Sequence, residues 1–85
     1  MFSLMSIESV VIEAIAKQKQ LSLDAISLDS KLQDLGVSSL DAITIVYEVE
    51  EAFDVEVPND ALERLDRVKD IVEGVSRLLS KDTVG

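Results

Sequence analysis

The sequence contains no cysteine, no histidine and no tryptophan, and it has only one proline, Pro58. The absence of cysteine excludes disulfide bonds and thiolate nucleophiles, and the absence of histidine as well removes the commonest ligands of transition metals. Histidine is also the side chain most often used for general acid–base catalysis near neutral pH. We therefore expect a protein that is not an enzyme and that has no metal site.

Basic residues are scarce as well, with 8 Lys and Arg against 17 Asp and Glu, which gives a formal net charge of −9. Such a charge disfavours nucleic acid and anionic membranes as partners and favours basic protein surfaces. Residues 39–66 contain nine acidic residues and one basic residue, Arg64, so this segment carries nearly all of the net charge. Scattered charge usually serves solubility, but this concentration favours a docking surface.

The chain also lacks any stretch close to the roughly 20 apolar residues that a membrane-spanning helix needs. Its first segment is apolar but carries Glu8 and Glu13 and no early basic residues, which indicates an amphipathic helix rather than a signal peptide. We expect no membrane insertion, a cytoplasmic location and a monomer. The length of 85 residues suits a single domain over residues 1–85, with its core at about 4–80.

Apolar spacing predicts an all-α fold, a small bundle of three longer helices plus one short helix. The first helix is expected over about Leu4–Lys19, with one buried stripe: Ile7, Val10, Val11, Ala14 and Ile15. A long loop over about residues 20–37 follows. Its regularly placed apolar residues predict that it is ordered against the core: Leu23, Ile26, Leu28, Leu32 and Leu35.

A second helix is expected over Ser39–Phe53, before a break at Pro58. Asn59 or Asp60 can cap a short third helix at "ALERL", residues 61–65, and Asp66 can cap a fourth helix. Residues 81–85 are expected to form a frayed tail.

The second helix has two apolar faces. One face should pack into the core: Ala42, Ile45, Val46, Val49 and Phe53. A second stripe is formed by Leu40, Ile43 and Tyr47, and it is displaced around the helix from the core-facing stripe by more than a third of a turn. This second stripe either lies under the long loop or contacts a partner. Acidic residues border this stripe at Asp41, Glu48 and Glu51, so a basic partner helix or patch would fit it.

Two adjacent serines, Ser38 and Ser39, stand at the front of this helix. Ser38 is a good N-cap and, with Asp41 three residues later, predicts a capping box. Ser39 then becomes the first helical residue, with its hydroxyl at the positive end of the helix dipole, where an attached phosphate is favoured. Because serine is a common N-cap, residue chemistry alone favours two ordinary capping serines over a modified one.

Residues 30–72, "SKLQDLGVSSLDAITIVYEVEEAFDVEVPNDALERLDRVKDIV", closely resemble the acyl carrier proteins of fatty-acid and polyketide synthesis. Several motifs of that family occur in register: Gly36, Ser39-Leu40, Glu50-Glu51 before Phe53, and Val57-Pro58-Asn59. The first and last helices match in placement too, so the resemblance spans nearly the whole chain.

The resemblance implies that Ser39 carries 4′-phosphopantetheine, which a phosphopantetheinyl transferase installs from coenzyme A through a phosphodiester. The thiol of this arm would hold acyl groups as thioesters, so the reactive sulfur that the chain lacks would come with the arm. The implied partners are that transferase and the acyl-transferring and chain-modifying enzymes with basic docking patches. Leu40, Asp41, Ile43, Tyr47, Glu48 and Glu51 are the expected docking residues.

Two departures from the family pattern bear on function. The family usually has Asp where Ser38 stands, and it tends to have an acid where Thr44 stands. These changes favour a specialised carrier for an unusual lipid, a polyketide or a modified acyl group. The missing Asp at position 38 also leaves open an unmodified, acidic helical docking module. A peptidyl carrier fits less well, because its motif favours Gly-Gly-x-Ser and fewer acids.

Overall fold

The computed structural model describes residues 6–84, with side chains for residues 6–79. The elements in chain order are α1 (Ile7–Lys19), a 3₁₀ turn (Leu23–Ala25), α2 (Ser39–Phe53), α3 (Asn59–Glu63) and α4 (Val68–Val84). The predicted all-α bundle of three longer helices and one short helix is confirmed. Leu4, the expected start of the first helix, lies outside the described residues, as does Gly85 at the end of the expected tail.

The core is built from one face of each long helix. Its most completely buried large side chains come from α1 (Val11, Ile15), α2 (Ile45, Val49) and α4 (Val68, Val75). The faces predicted for the first two helices therefore do face the core. None of the helices in the part of the chain that the structure describes is long and apolar enough to cross a membrane.

The long loop between α1 and α2 is ordered, as predicted, and backbone hydrogen bonds hold it against the start of α4. The Leu32 N–H donates to the Asp66 carbonyl at 2.9 Å. In the other direction, the carbonyls of Ser30 and Leu28 accept from the N–H groups of Val68 and Lys69, at 3.0 Å each. The first N–H groups of a helix have no partner within the helix, so the loop supplies acceptors that α4 needs.

The apolar side chains of this loop pack unequally against the core. Ile26 and Leu32 are buried, and Leu28 and Leu35 are half-buried against the core. The expectation that Leu23 helps to hold the loop is wrong, because Leu23 is 53% exposed. It lies on the 3₁₀ turn, whose three residues a spacing argument for an irregular loop does not anticipate.

The two C-terminal helices begin and end differently from the prediction. α3 begins at Asn59, because Pro58 fixes the backbone at φ −67° and suits the position before a helix. α4 begins at Val68, so Asp66 is too early to be its cap. Instead the Asp70 Oδ2 accepts from the N–H groups of Asp66 at 2.9 Å and Arg67 at 2.8 Å.

The expected frayed tail is also wrong for residues 81–84, because α4 continues to Val84. Adding a residue to an existing helix costs far less than starting one, and residues 80–84 contain neither proline nor glycine to end it.

Candidate functional site

The turn that leads into α2 depends on Gly36. Its φ of +80° lies in the left-handed region, which glycine adopts without a steric penalty. The Gly36 N–H donates to the Gln33 carbonyl at 3.1 Å, and the Val37 N–H donates back to the Leu32 carbonyl at 2.9 Å. This tight reversal brings the chain from the buried Leu32 to the start of α2.

A reciprocal capping box joins Ser38 to Asp41 at the start of α2. The Asp41 N–H donates to the Ser38 Oγ at 3.2 Å, and the Ser38 N–H donates to the Asp41 Oδ2 at 3.1 Å. The hydroxyl of Ser38 is therefore engaged as the N-cap of α2. Ser39 is the first residue of α2 and is exposed, which leaves its hydroxyl accessible from solvent.

The Asp41 carboxylate is also the centre of a contact with the end of α1. Lys19 Nζ lies 2.8 Å from Asp41 Oδ2, and Gln18 Nε2 donates to Asp41 Oδ1 at 3.4 Å. We call this set of Gln18, Lys19 and Asp41 the α1–α2 clamp. Hydrogen bonding to Lys19, together with the bond from the Ser38 backbone, holds the pKa of Asp41 well below its usual value of 3.8.

No local sequence pattern predicts the α1–α2 clamp, because its partners are 22 and 23 residues apart and belong to different helices. Asp41 is one of the predicted docking residues, yet both of its carboxylate oxygens are hydrogen-bonded within the protein. A docking role for Asp41 stays a prediction.

The second apolar stripe on α2 is not covered by the long loop. Leu40 is 76%, Ile43 52% and Tyr47 57% exposed. Among the residues whose exposure the structure gives, Leu23 is the one other exposed large apolar side chain, and it lies on the 3₁₀ turn. The Thr44 hydroxyl donates to the Leu40 carbonyl at 3.2 Å, so it is bonded to its own helix. The stripe is therefore an exposed apolar surface that begins beside Ser39.

Glu48 and Glu51 lie further along α2, at the other end of this stripe. Glu48 is loosely paired with Lys17, whose Nζ is 4.0 Å from Glu48 Oε1. The Glu51 carboxylate, one turn further along α2, raises the pKa of the Tyr47 phenol because it favours the protonated phenol over a second negative charge. This end of the stripe is therefore acidic, as the sequence predicts.

A cleft of about 550 Å³ opens beside Ser39. It lies between the start of α2, the long loop and the segment from Asn59 to Asp66. Six apolar and six polar residues line it: Leu32, Val37, Ala42, Ile43, Leu62 and Leu65, with Gln33, Ser38, Ser39, Asn59, Glu63 and Asp66. Its size is within the range of about 300–1,000 Å³ that is typical of small-molecule pockets. An exposed serine on the edge of such a cleft fits a covalently attached group of moderate size.

We expect the α1–α2 clamp to make the domain sensitive to acid. A carboxyl group whose pKa is lowered by folding stabilises the fold above its ordinary pKa, and this contribution is lost as the pH falls towards the lowered value. The urea midpoint of wild type should therefore fall between about pH 6 and pH 2 by more than that of Asp41→Asn. Unfolding curves of both proteins across this range provide the measurement, and equal falls would contradict the prediction.

The fold and the site together define a small helical protein with an exposed serine at the start of α2, beside a cleft and an exposed apolar stripe. The sequence model of the family described as "Phosphopantetheine attachment site" matches residues 9–75. The acyl carrier protein of Campylobacter hominis is 35% identical over 75 residues, which is 87% of this chain and 95% of that protein. The acyl carrier protein of Akkermansia muciniphila is 38% identical over 74 residues, 86% of this chain and 92% of that protein.

The chain therefore belongs to the acyl carrier protein family, with its phosphopantetheine attachment domain. The cofactor of this family is covalently attached phosphopantetheine, and its members are carriers rather than catalysts.

Proposed function

We propose that Ser39 is the attachment point of 4′-phosphopantetheine and that the protein delivers acyl groups to enzymes of fatty-acid, specialised lipid or polyketide synthesis. The observation that carries this proposal is the position of Ser39, an exposed hydroxyl at the first residue of a capped helix. Ser39 also follows the Gly36 turn in the spacing typical of the family motif. The neighbouring Ser38 is a poorer candidate, because its hydroxyl accepts the Asp41 N–H.

The residues around Ser39 suit a phosphodiester. The first turn of α2 has backbone N–H groups without partners in the helix, and the helix dipole places partial positive charge there. Ser38 and Asp41 fix this turn, and the cleft beside Ser39 leaves space for a group attached to the hydroxyl. When bound, the cofactor supplies a thiol that holds an acyl group as a thioester.

The proposed partners are a phosphopantetheinyl transferase and acyl-handling enzymes with basic surfaces. Leu40, Ile43 and Tyr47 would supply apolar contact next to the attachment point. Glu48 and Glu51 would steer a basic partner towards the stripe, because charges at the edge of an interface act mainly on the association rate.

The test is an intact mass measurement after incubation with coenzyme A, Mg²⁺ and a broad-specificity phosphopantetheinyl transferase. We expect a gain of one phosphopantetheine, which peptide mapping locates on Ser39. No gain, while the same transferase loads a control carrier protein, would contradict the proposal for that transferase. Repeating the incubation with the transferase of the source organism would then decide between a dedicated transferase and an unmodified chain.

A second candidate function is an unmodified carrier-like docking module. The observation in its favour is Ser38, which lacks the negative charge that the family usually has beside the attachment serine. Such a module would use the apolar stripe and the acidic residues of α2 without loading. Binding to an acyl-handling enzyme that persists unchanged in Ser39→Ala, with no mass gain in wild type, would support it.

A further inference from the structure

Lys19 of α1 lies close to the turn before α2 and to the first turn of α2 itself. Its Nζ is 2.8 Å from the Asp41 Oδ2, the same oxygen that accepts the Ser38 N–H of the capping box. Its Cε lies 3.7 Å from the point where a Cβ on Gly36 would stand, so the aliphatic stem passes beside the turn that leads into Ser38. Lys19 therefore passes beside the turn before Ser39 and binds the carboxylate after it.

The carboxylate that completes the capping box has additional donors from α1. Aspartate is one methylene shorter than the glutamate that usually occupies this position of a capping box. In this protein its carboxylate is oriented by three donors, since Lys19 and Gln18 bind it from α1 and the Ser38 N–H binds it from α2. The pair is also sheltered, with side-chain exposures of 27% for Lys19 and 20% for Asp41. A charged hydrogen bond in such a place is stronger and better defined than one on an open surface.

Asp41 is the only charged residue between Ser38 and Tyr47. Its carboxylate pairs with Lys19 and accepts the Ser38 N–H, so it is held in place at the start of α2.

We propose that Lys19 is a positioning residue for the modification of Ser39. It acts through Asp41 and Ser38, and it fixes the orientation in which the first turn of α2 presents the Ser39 hydroxyl. The inference rests on the proposed attachment of phosphopantetheine to Ser39. Reactions that join two molecules are sensitive to such positioning, since a displacement of about 1 Å can cost about a hundredfold in rate.

The test measures kcat and KM for the loading of Ser39 by the broad-specificity transferase with coenzyme A and Mg²⁺. We expect Lys19→Met to lower kcat by about tenfold with a smaller change in KM, because the defect is in orientation rather than in contact. Lys19→Arg should restore most of the rate, since it keeps the charge. The matched control is Lys69→Met on α4, an exposed lysine with only a loose 4.0 Å contact to Asp29, which should load like wild type. Circular dichroism at the assay temperature ensures that each variant is folded.

A double-mutant cycle separates positioning from direct contact with the transferase. If Lys19 and Asp41 act as a unit, Lys19→Met/Asp41→Asn should load no more slowly than the slower single variant. If Asp41 instead contacts the transferase, Lys19→Met frees its charge and loading becomes unchanged or faster, and this result would overturn the inference. If no transferase loads the wild-type protein, the proposed function itself is overturned. If wild type and Lys19→Met are loaded at the same rate, only the positioning role of Lys19 is overturned.

Discussion

Ser39→Ala should abolish the gain of phosphopantetheine completely. The substitution removes the only atom of residue 39 that can form the phosphodiester, and the hydroxyl of the adjacent Ser38 is bonded to the Asp41 N–H. Ser39 is exposed, so the variant should stay within about 0.5 kcal/mol of wild type in its free energy of unfolding. Intact mass after exhaustive incubation with the transferase measures the first effect, and urea unfolding measures the second.

Ser38→Ala is the matched control for this experiment, because it removes the neighbouring hydroxyl instead. It should lose about 0.5–2 kcal/mol of stability, as expected for an N-cap serine, yet still gain one phosphopantetheine at completion. The two variants thus separate the cap from the attachment point. A full mass gain in Ser39→Ala would show that another residue is modified.

Ile43→Ala should lower kcat/KM for loading by about tenfold, which corresponds to about 1.4 kcal/mol of binding free energy. Ile43 is 52% exposed and lies one turn from Ser39, so a transferase that reaches the Ser39 hydroxyl should cover it. The loss should fall mainly on KM, because an apolar contact of this kind stabilises the complex before and during the reaction. Leu40→Ala should act in the same direction.

Leu23→Ala provides the control for the apolar stripe. Leu23 is 53% exposed, nearly the same as Ile43, but it lies on the 3₁₀ turn rather than on α2. It should therefore change kcat/KM by less than about twofold, as is usual for a surface residue outside an interface. Similar losses in Leu23→Ala and Ile43→Ala would mean that the stripe has no special part in docking.

The helices and their inward faces could be predicted from the sequence because they depend on local spacing. The apolar period of 3.6 residues predicted the faces of α1 and α2, and α2 begins at Ser39 as the capping serine indicated. The second apolar face of α2 also predicted that this face either lies under the long loop or is available to a partner. The structure was needed to decide between these, since only the path of the loop shows that the stripe is exposed.

The features that the sequence did not reveal join residues that are far apart in the chain. The α1–α2 clamp brings Lys19 to Asp41, and no local pattern connects them. The start of α4 differs from the prediction for a similar reason. Its acceptors come from the loop carbonyls of Leu28 and Ser30, which have no side-chain signature, and from Asp70 within the helix. The cleft beside Ser39 also depends on where α3 packs, and helix propensity does not predict that position.

The backbone hydrogen bonds between the long loop and α4 also determine which part of this protein can open locally. If the loop lifted away, the N–H groups of Val68 and Lys69 would lose their acceptors, so the loop and the first turn of α4 should open as one cooperative unit. The same unit includes Leu32 and Asp66, which are joined by a backbone bond and both line the cleft beside Ser39. Widening the cleft on that side therefore requires breaking several hydrogen bonds together. The other side of the cleft is formed by α3, which is a helix of only five residues. A bulky group carried on Ser39 would make room most readily by displacing α3.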